Sequence, residues 1–213
     1  MEPFIHNHQF NFIQQQIYTL QYSVNSVVDQ EVLEIVRLNT EEKILHLFSN
    51  ITKEQQQLLS SFKDLKREHE FYEYLESLLP YRVMFPYVTE QHLKGLFKKT
   101  KKLQTPALAD INFKSITFLA WNDSNVQKKY FVFPYNGIVR GIQATITPMQ
   151  QKNICSLCKQ FTKVGMVTAE TNNRFESSYR AIGNYMCLDS YECNRNITDR
   201  EPIEAFFEDV LGN

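Results

Sequence analysis

The chain of 213 residues lacks several features that would point to a membrane, a secretory pathway or a charged polymer. Its longest apolar runs, such as residues 118–121, are far too short to cross a bilayer. Residues 1–12 contain no basic flank followed by an apolar stretch, so we expect no secretory signal and a cytoplasmic protein. The formal net charge of −1 gives no global attraction to nucleic acid or to a membrane surface.

Catalytic motifs are missing as well. The six glycines are too scattered to form a loop around a phosphate group. The sequence contains neither a His-Glu-x-x-His metalloprotease motif nor a Gly-x-Ser-x-Gly nucleophile elbow. We therefore expect a protein that binds a partner and is not an enzyme.

Glycine is absent from the first third of the chain, and Pro3 is the only proline before Pro80. Apolar residues recur there at alternating steps of three and four, which is the period of one helix face. They are Phe10, Ile13, Ile17, Leu20, Val24 and Val27. Residues 1–80 are therefore predicted to form a helical bundle.

Two further helical segments are predicted in this bundle. One covers residues 30–38 and is interrupted at residues 39–40 before the apolar pattern resumes. Its inward residues are predicted to be Val32, Ile35 and Val36. The other begins at Thr52, whose spacing from Gln55 is that of a capping box, and it continues over residues 52–79.

Residues 81–213 are predicted to form a mixed α/β domain, which makes the fold class α+β. Residues 89–102 are predicted to be helical, with five lysines toward the end, Lys94, Lys98, Lys99, Lys101 and Lys102. Five segments rich in β-branched and aromatic residues are predicted strands: 111–121, 129–133, 138–146, 163–169 and 179–186. Asn136-Gly137 is typical of a type I′ hairpin turn, and a last helix is predicted over residues 202–211.

The four cysteines form two close pairs, Cys155-x2-Cys158 and Cys187-x5-Cys193. Each such pair can supply two thiolates to a tetrahedral zinc ion, with the intervening residues folding back to join the pairs. Two disulfides or four unrelated buried thiols are the alternatives, and the missing secretory signal argues against disulfides. We predict one structural zinc ion in a lobe spanning about residues 150–213.

Four thiolates leave zinc no open position for water or substrate, so the predicted site is structural. The zinc ion and four sulfurs together carry a charge of about −2. Basic residues near the pairs are predicted to offset it: Lys152, Lys159, Lys163, Arg195 and Arg200. Loss of any one cysteine is expected to unfold the lobe locally and to spare the helical bundle.

The predicted lobe carries more large apolar side chains than a small core needs, namely Ile154, Tyr179, Ile182, Tyr185, Phe206 and Phe207. Two adjacent phenylalanines on one helix point in different directions. One of them is therefore predicted to anchor a partner, and burial of both is the alternative.

Longer stretches make the chain similar to a known family. They are residues 8–13 (HQFNFI), 96–102 (LFKKTKK), 121–122 (WN) with 129–130 (KY), 155–158 (CSLC) and 183–194 (GNYMCLDSYECN). Over nearly its whole length the chain resembles the FusB-type fusidic acid resistance proteins, which are also described as elongation factor G-binding proteins.

The resemblance implies a helical bundle joined to a zinc-bearing α/β domain that binds elongation factor G, free and on the ribosome. It implies that the drug is neither modified, pumped nor bound. The protein, expected to be a monomer, would free the factor from ribosomes on which fusidic acid has trapped it.

The resemblance also implies a set of partner contacts. In the family these are an aromatic residue before the first cysteine, a lysine before a glycine, a tyrosine two residues before the third cysteine, and a phenylalanine on the last helix. The corresponding positions here are Ile154, Ile182, Tyr185 and Phe206. Tyr185 and Phe206 match the family, whereas Ile154 and Ile182 depart from it. These departures bear on how tightly the chain binds or on which species' factor it favours, and not on the fold.

A zinc-stabilised protein that binds RNA or the ribosome through the basic helix 94–102 is the alternative function. The near-neutral net charge and the missing RNA-binding motifs argue against this alternative.

Overall fold

The computed structural model describes residues 1–100, 102–171 and 181–212, and the chain divides into two compact units, Met1–Val83 and Met84–Asn213. The first unit is helical: α1 (Asn7–Ser26), α2 (Gln30–Leu45), α3 (Lys53–Leu59), α4 (Glu68–Leu78) and a 3-10 turn (Leu79–Tyr81). The predicted fold class is confirmed, because an antiparallel sheet follows the helices. No helix among the described residues has the length and hydropathy needed to cross a bilayer.

The apolar stripe of α1 forms the centre of the helical unit. Four of its six predicted residues are buried, namely Phe10, Ile13, Ile17 and Leu20. Val24 packs at the edge of the same cluster, and Val27 caps the helix end. The stripe packs against buried side chains of the later helices and of the turn after α3: Ile44, Leu59, Phe62, Phe71, Tyr74, Leu75 and Leu78.

Helix α2 buries a different face from the predicted one. Val32 and Ile35 expose 45% and 57% of their surface, so their predicted inward orientation is wrong. The buried face instead contains Leu33 and Arg37, with Val36 partly buried at its edge. The predicted interruption at residues 39–40 is also wrong, because α2 continues through both residues to Leu45. The Thr40 hydroxyl donates to the Val36 carbonyl at 2.8 Å, so it is satisfied within the helix.

The buried Arg37 explains why the predicted helix over residues 52–79 is two helices. Its guanidinium donates hydrogen bonds to the carbonyl oxygens of Lys63 and Leu65, which lie between α3 and α4. The Glu70 carboxylate accepts the two backbone amides that precede α4, at 2.7 and 2.9 Å, and so fixes the new helix start. A tertiary contact thus breaks a segment whose local pattern is continuous.

Among its described residues, the second unit contains five antiparallel strands in sequence order. They are β1 (Leu119–Asp123), β2 (Lys128–Tyr135), β3 (Ile138–Ile154), β4 (Phe161–Glu170) and β5 (Ala181–Cys187). In the described part of this unit, the helices α5 (Glu90–Leu96), α6 (Ser190–Asn196) and α7 (Glu201–Leu211) accompany the sheet. The Asn136-Gly137 turn has φ values of 51° and 74°, as a type I′ turn requires.

The strand bounds differ from the prediction most in β1 and β3, whereas β2 and β4 differ by one or two residues at each end. Most of the predicted strand over residues 111–121 is irregular, and β1 begins only at Leu119 after two 3-10 turns, Leu108–Asp110 and Phe113–Ser115. Strand β3 is longer than predicted and reaches Ile154 through a bulge between Pro148 and Lys152, which carries it to the first cysteine pair. Tyr179, the predicted start of the last strand, lies outside the described residues.

Strand β2 is buried on both faces. Alternate residues point to opposite sides of a strand, so Tyr130 packs with Phe97 at a ring distance of 5.0 Å on the α5 side. Phe131 packs with Phe206 of α7 at 5.2 Å on the other side. The sheet therefore forms the middle layer of the unit, and the cysteines belong to the apolar cluster on the α7 side.

Candidate metal centre and partner surface

The first cysteine pair lies in the turn that joins β3 to β4. The backbone amide of Lys159 donates to the carbonyl of Cys155 at 2.9 Å, and the amide of Cys155 donates to the carbonyl of Gln160 at 2.9 Å. Lys159 closes the turn with a φ of 60°. These bonds hold the turn tightly, and both Cys155 and Cys158 are buried.

The second pair spans the end of β5 and the start of α6. Cys187 is the last residue of the strand, and Cys193 lies in the helix. Asp189 caps α6 by accepting the amides of Tyr191 and Glu192, at 2.8 and 3.3 Å. The five-residue spacing is therefore the length of a strand end, a helix cap and one helical turn.

The four sulfur atoms lie within 4.8 Å of one another. The Sγ atoms of Cys155 and Cys193 are 3.8 Å apart, and those of Cys158 and Cys187 are 3.5 Å apart. Disulfide sulfurs would lie at about 2 Å, so the disulfide alternative is excluded. Tetrahedral zinc with bonds of about 2.3 Å separates its sulfurs by about 3.8 Å, which this cluster fits.

The thiols influence one another's ionisation. Hydrogen bonds from Cys158 and Cys187 lower the pKa of Cys155, whereas hydrogen bonding with Cys155 raises the pKa of Cys187 and of Cys193. A charge on one sulfur thus opposes ionisation of its neighbours. A divalent cation removes this opposition, because it stabilises all four thiolates at once.

The five basic residues predicted to offset the thiolate charge point to solvent or to other partners. Lys152, Lys163 and Arg195 are exposed, and the ammonium group of the exposed Lys159 bonds to a backbone carbonyl in its own turn. Arg200, which immediately precedes α7, forms an ion pair with Glu204 of that helix and donates to a carbonyl of β2 at 3.2 Å. A different cation, which sequence reasoning missed, interacts with the thiolate charge.

That cation is Lys129 of β2, which is 1% exposed. Its ammonium donates to Asn122 Oδ1 at 3.0 Å, to the Leu188 carbonyl at 3.3 Å and to Ser190 Oγ at 2.7 Å. Burial lowers the pKa of Lys129 to about 8, and the thiolates of the cysteine cluster oppose that shift. The available signal was a lysine inside an otherwise apolar strand.

The residues predicted for partner contact differ in accessibility. Ile154 is 57% exposed, whereas Ile182 and Tyr185 are partly buried against the core. Ile182 and Tyr185 are three residues apart in β5, which places their side chains on opposite faces of the strand. Directly across the ladder from Ile154 lies Phe161, which is 68% exposed and which sequence reasoning missed.

The two adjacent phenylalanines of α7 are both buried, so the prediction that one stays free as an anchor is wrong. Phe206 packs on Phe131 and Phe207 packs on Phe133, with ring distances of 5.2 and 5.3 Å. Two residues of one strand face accept both rings. Phe206 is 3% exposed and borders a groove of about 310 Å³ beside the first cysteine turn, so a contact through it would be indirect.

The basic segment is less regular than the predicted helix over residues 89–102. Helix α5 ends at Leu96, where Phe97 turns into the core. Lys94 pairs with Glu90 at 2.6 Å, and Lys98 and Lys99 follow in an exposed turn. Lys101 lies outside the described residues.

Comparisons with known proteins agree with this arrangement. A family profile described as elongation factor G-binding protein, N-terminal, matches residues 4–86. A second, described as FBP C-terminal treble-clef zinc-finger, matches residues 95–209. Together with the four clustered sulfurs, the zinc-finger match establishes that the cysteines bind one structural zinc ion.

The chain is also similar to a solved structure, that of the fusidic acid resistance protein FusC. The two sequences are 25% identical over 97% of each chain, and the TM-score is 0.78. A search of curated proteins gives no match.

Proposed function

Because the chain belongs to the family of FusB-type elongation factor G-binding proteins, we propose that it binds elongation factor G through the zinc-bearing unit, residues 84–213. Binding promotes release of the factor from ribosomes stalled by fusidic acid and so protects translation from the drug. The protein acts in the cytoplasm as a monomer and carries out no chemical step on the drug.

The main support is the exposed apolar pair formed by Ile154 and Phe161. The pair lies at the end of the β3–β4 ladder, where the zinc-binding turn fixes both strands. Exposed aromatic and aliphatic side chains on a rigid element are the usual anchors of a protein interface. Phe161 supplies an aromatic ring next to the position at which the family carries one and this chain has isoleucine.

Tyr185 is a further contact in this proposal, on the other side of the sheet, because its register partner Met166 lies five residues from Phe161 in β4. The Tyr185 carbonyl accepts the backbone amide of Ser156 at 2.7 Å, which ties the middle of β5 to the first cysteine turn. Ile182, whose register partner is Ala169, lies on the same side of the sheet as Phe161 but further from the turn. Phe206 borders the groove beside the first cysteine turn and, being 3% exposed, is not a direct contact in this proposal.

Release requires more than capture of free factor. A protein that binds only the free factor shifts the equilibrium but leaves the rate of departure from the ribosome unchanged. To speed departure, the protein engages the stalled factor and favours a conformation that the ribosome holds less well. Each tenfold gain in the release rate corresponds to about 1.4 kcal/mol of barrier lowering.

The test of binding uses a double substitution, Ile154→Ser with Phe161→Ser. We expect it to abolish co-elution with elongation factor G on a sizing column while zinc content and melting temperature stay unchanged. Val126 and Ile138 are 54% and 56% exposed and lie outside the proposed surface, so Val126→Ser with Ile138→Ser is the matched control. Co-elution of the first variant at wild-type strength would contradict the assigned surface.

The test of release uses ribosomes loaded with elongation factor G and fusidic acid. Addition of the protein is expected to raise the rate at which the labelled factor leaves the ribosome, and not only the final amount released. An unchanged rate with an altered end point would indicate simple capture and would contradict the release step.

A further inference from the structure

Two exposed lysines face each other directly across β3 and β4. Lys152 and Lys163 are register partners, two residues from the register pair Ile154 and Phe161. Because side chains alternate along each strand, all four lie on one side of the ladder. We call this surface the hairpin face. Neither ammonium group forms an ion pair with another residue in the described ranges.

Like charges directly opposite each other destabilise an antiparallel pair of strands. The local charge is raised further by Lys159 in the connecting turn, which is exposed. Three cations therefore surround two exposed apolar side chains at one end of the ladder. In the free protein this arrangement costs stability, and a negatively charged group between the two lysines would remove that cost.

We propose that the hairpin face binds a patch of carboxylate side chains with an apolar centre on the surface of elongation factor G. Partner carboxylates lie between the ammonium groups of Lys152 and Lys163, and the apolar centre covers Ile154 and Phe161. This inference rests on the proposed function and specifies the chemistry of its contact.

Phosphate groups of RNA are the other anions that such lysines could meet. A single-stranded RNA site stacks its bases on flat aromatic or guanidinium groups. The hairpin face has one ring, and the residue opposite that ring is a branched aliphatic. An apolar pair of this kind is suited to a protein surface, so carboxylates are the ligands to which the proposal commits.

The decisive variant is Lys152→Glu, which places opposite charges across the ladder. We expect the melting temperature of the zinc-loaded protein to rise by about 1–5 °C, because a repulsive pair becomes attractive. We expect the Kd for elongation factor G to weaken by at least about tenfold, because a carboxylate now faces the partner carboxylates. The affinity of the wild type should fall as salt concentration rises.

Lys98→Glu is the matched control, since this lysine is exposed but lies outside the hairpin face. Its affinity for elongation factor G is expected to stay within twofold of wild type, and Lys152→Arg is expected to retain wild-type affinity. If Lys152→Glu fails to bind zinc or to fold, the neutral variant Lys163→Gln replaces it, with a smaller loss of affinity expected.

The outcomes separate this inference from the proposed function. If the wild type does not bind elongation factor G, the proposed function fails. If the wild type binds and Lys152→Glu binds equally well, only the carboxylate patch is overturned. Tighter binding of the wild type to a poly-uridine oligonucleotide than to the factor, lost in Lys152→Glu, would overturn it in favour of phosphate.

Discussion

Replacing Lys129 by methionine should weaken zinc binding without touching a zinc ligand. The lysine ammonium bonds to Leu188 and Ser190, which lie between the third and fourth cysteines, and to Asn122 of β1. It thus fixes the strand end and the helix start that carry these two ligands. It also places a positive charge 5.7 Å from the ring of Phe131, which belongs to the same apolar cluster as the four cysteines.

The expected loss follows from these two roles. Substitution of a group that orients metal ligands without coordinating the metal typically lowers metal affinity by about 10- to 100-fold. That range corresponds to about 1.4–2.7 kcal/mol of zinc-binding free energy. Methionine keeps most of the buried volume, so a cavity contributes little, but three acceptors lose a charged donor. Lys129→Arg should recover part of the affinity, since it retains the charge.

The assay is competition for zinc between the purified protein and a chromophoric chelator. Lys128→Met is the matched control, because the neighbouring lysine bonds instead to Thr145 Oγ1 at 2.9 Å, on the opposite side of β2. Wild-type zinc affinity in Lys129→Met would refute the argument. So would an equal drop in melting temperature with and without chelator, because it would assign Lys129 a packing role alone.

Two further predictions concern stability. Removing zinc with a strong chelator should expose the backbone amides of α6, α7 and β5 to hydrogen exchange, while the amides of α1 keep their protection. The reason is that the cysteines share one apolar cluster with α7, whereas the helical unit has a cluster of its own. Equal loss of protection in both units would contradict separate cores. Gly141→Ala should lower the free energy of unfolding, measured by denaturant titration, by about 1–3 kcal/mol. The reason is that the new Cβ would lie 2.7 Å from the buried Phe97 ring. Gly95 has open space around it, so the control Gly95→Ala should leave the free energy of unfolding unchanged or raise it.

The zinc centre could be predicted because its signal is local. Two cysteine pairs with short spacings define the ligands, and their chemistry defines the metal. The role of Lys129 beside that centre could not be predicted in the same way. Lys129 lies 59 residues before Leu188 in sequence and reaches it only because β2 and the end of β5 are brought together by the fold. No spacing rule connects residues that meet in this manner.

The helical unit shows where periodicity is sufficient and where it is not. The stripe of α1 has one apolar face, and the structure buries it. Helix α2 carries two candidate faces, one with Val32 and Ile35 and one with Leu33 and Arg37, and pattern alone favours the more apolar. The structure buries the second, because the guanidinium satisfies two carbonyl groups between the following helices.

The register that sets Ile154 against Phe161 has a consequence for comparing relatives of this chain. The two side chains of a cross-strand pair cover one small area of surface. An aromatic residue on one strand of the pair can therefore replace an aromatic residue on the other strand while the surface stays aromatic. A comparison made column by column along the sequence would record the loss of an aromatic group at one position and overlook its reappearance at the other. At this end of the sheet, relatives should therefore be compared by the residues of the cross-strand pair taken together.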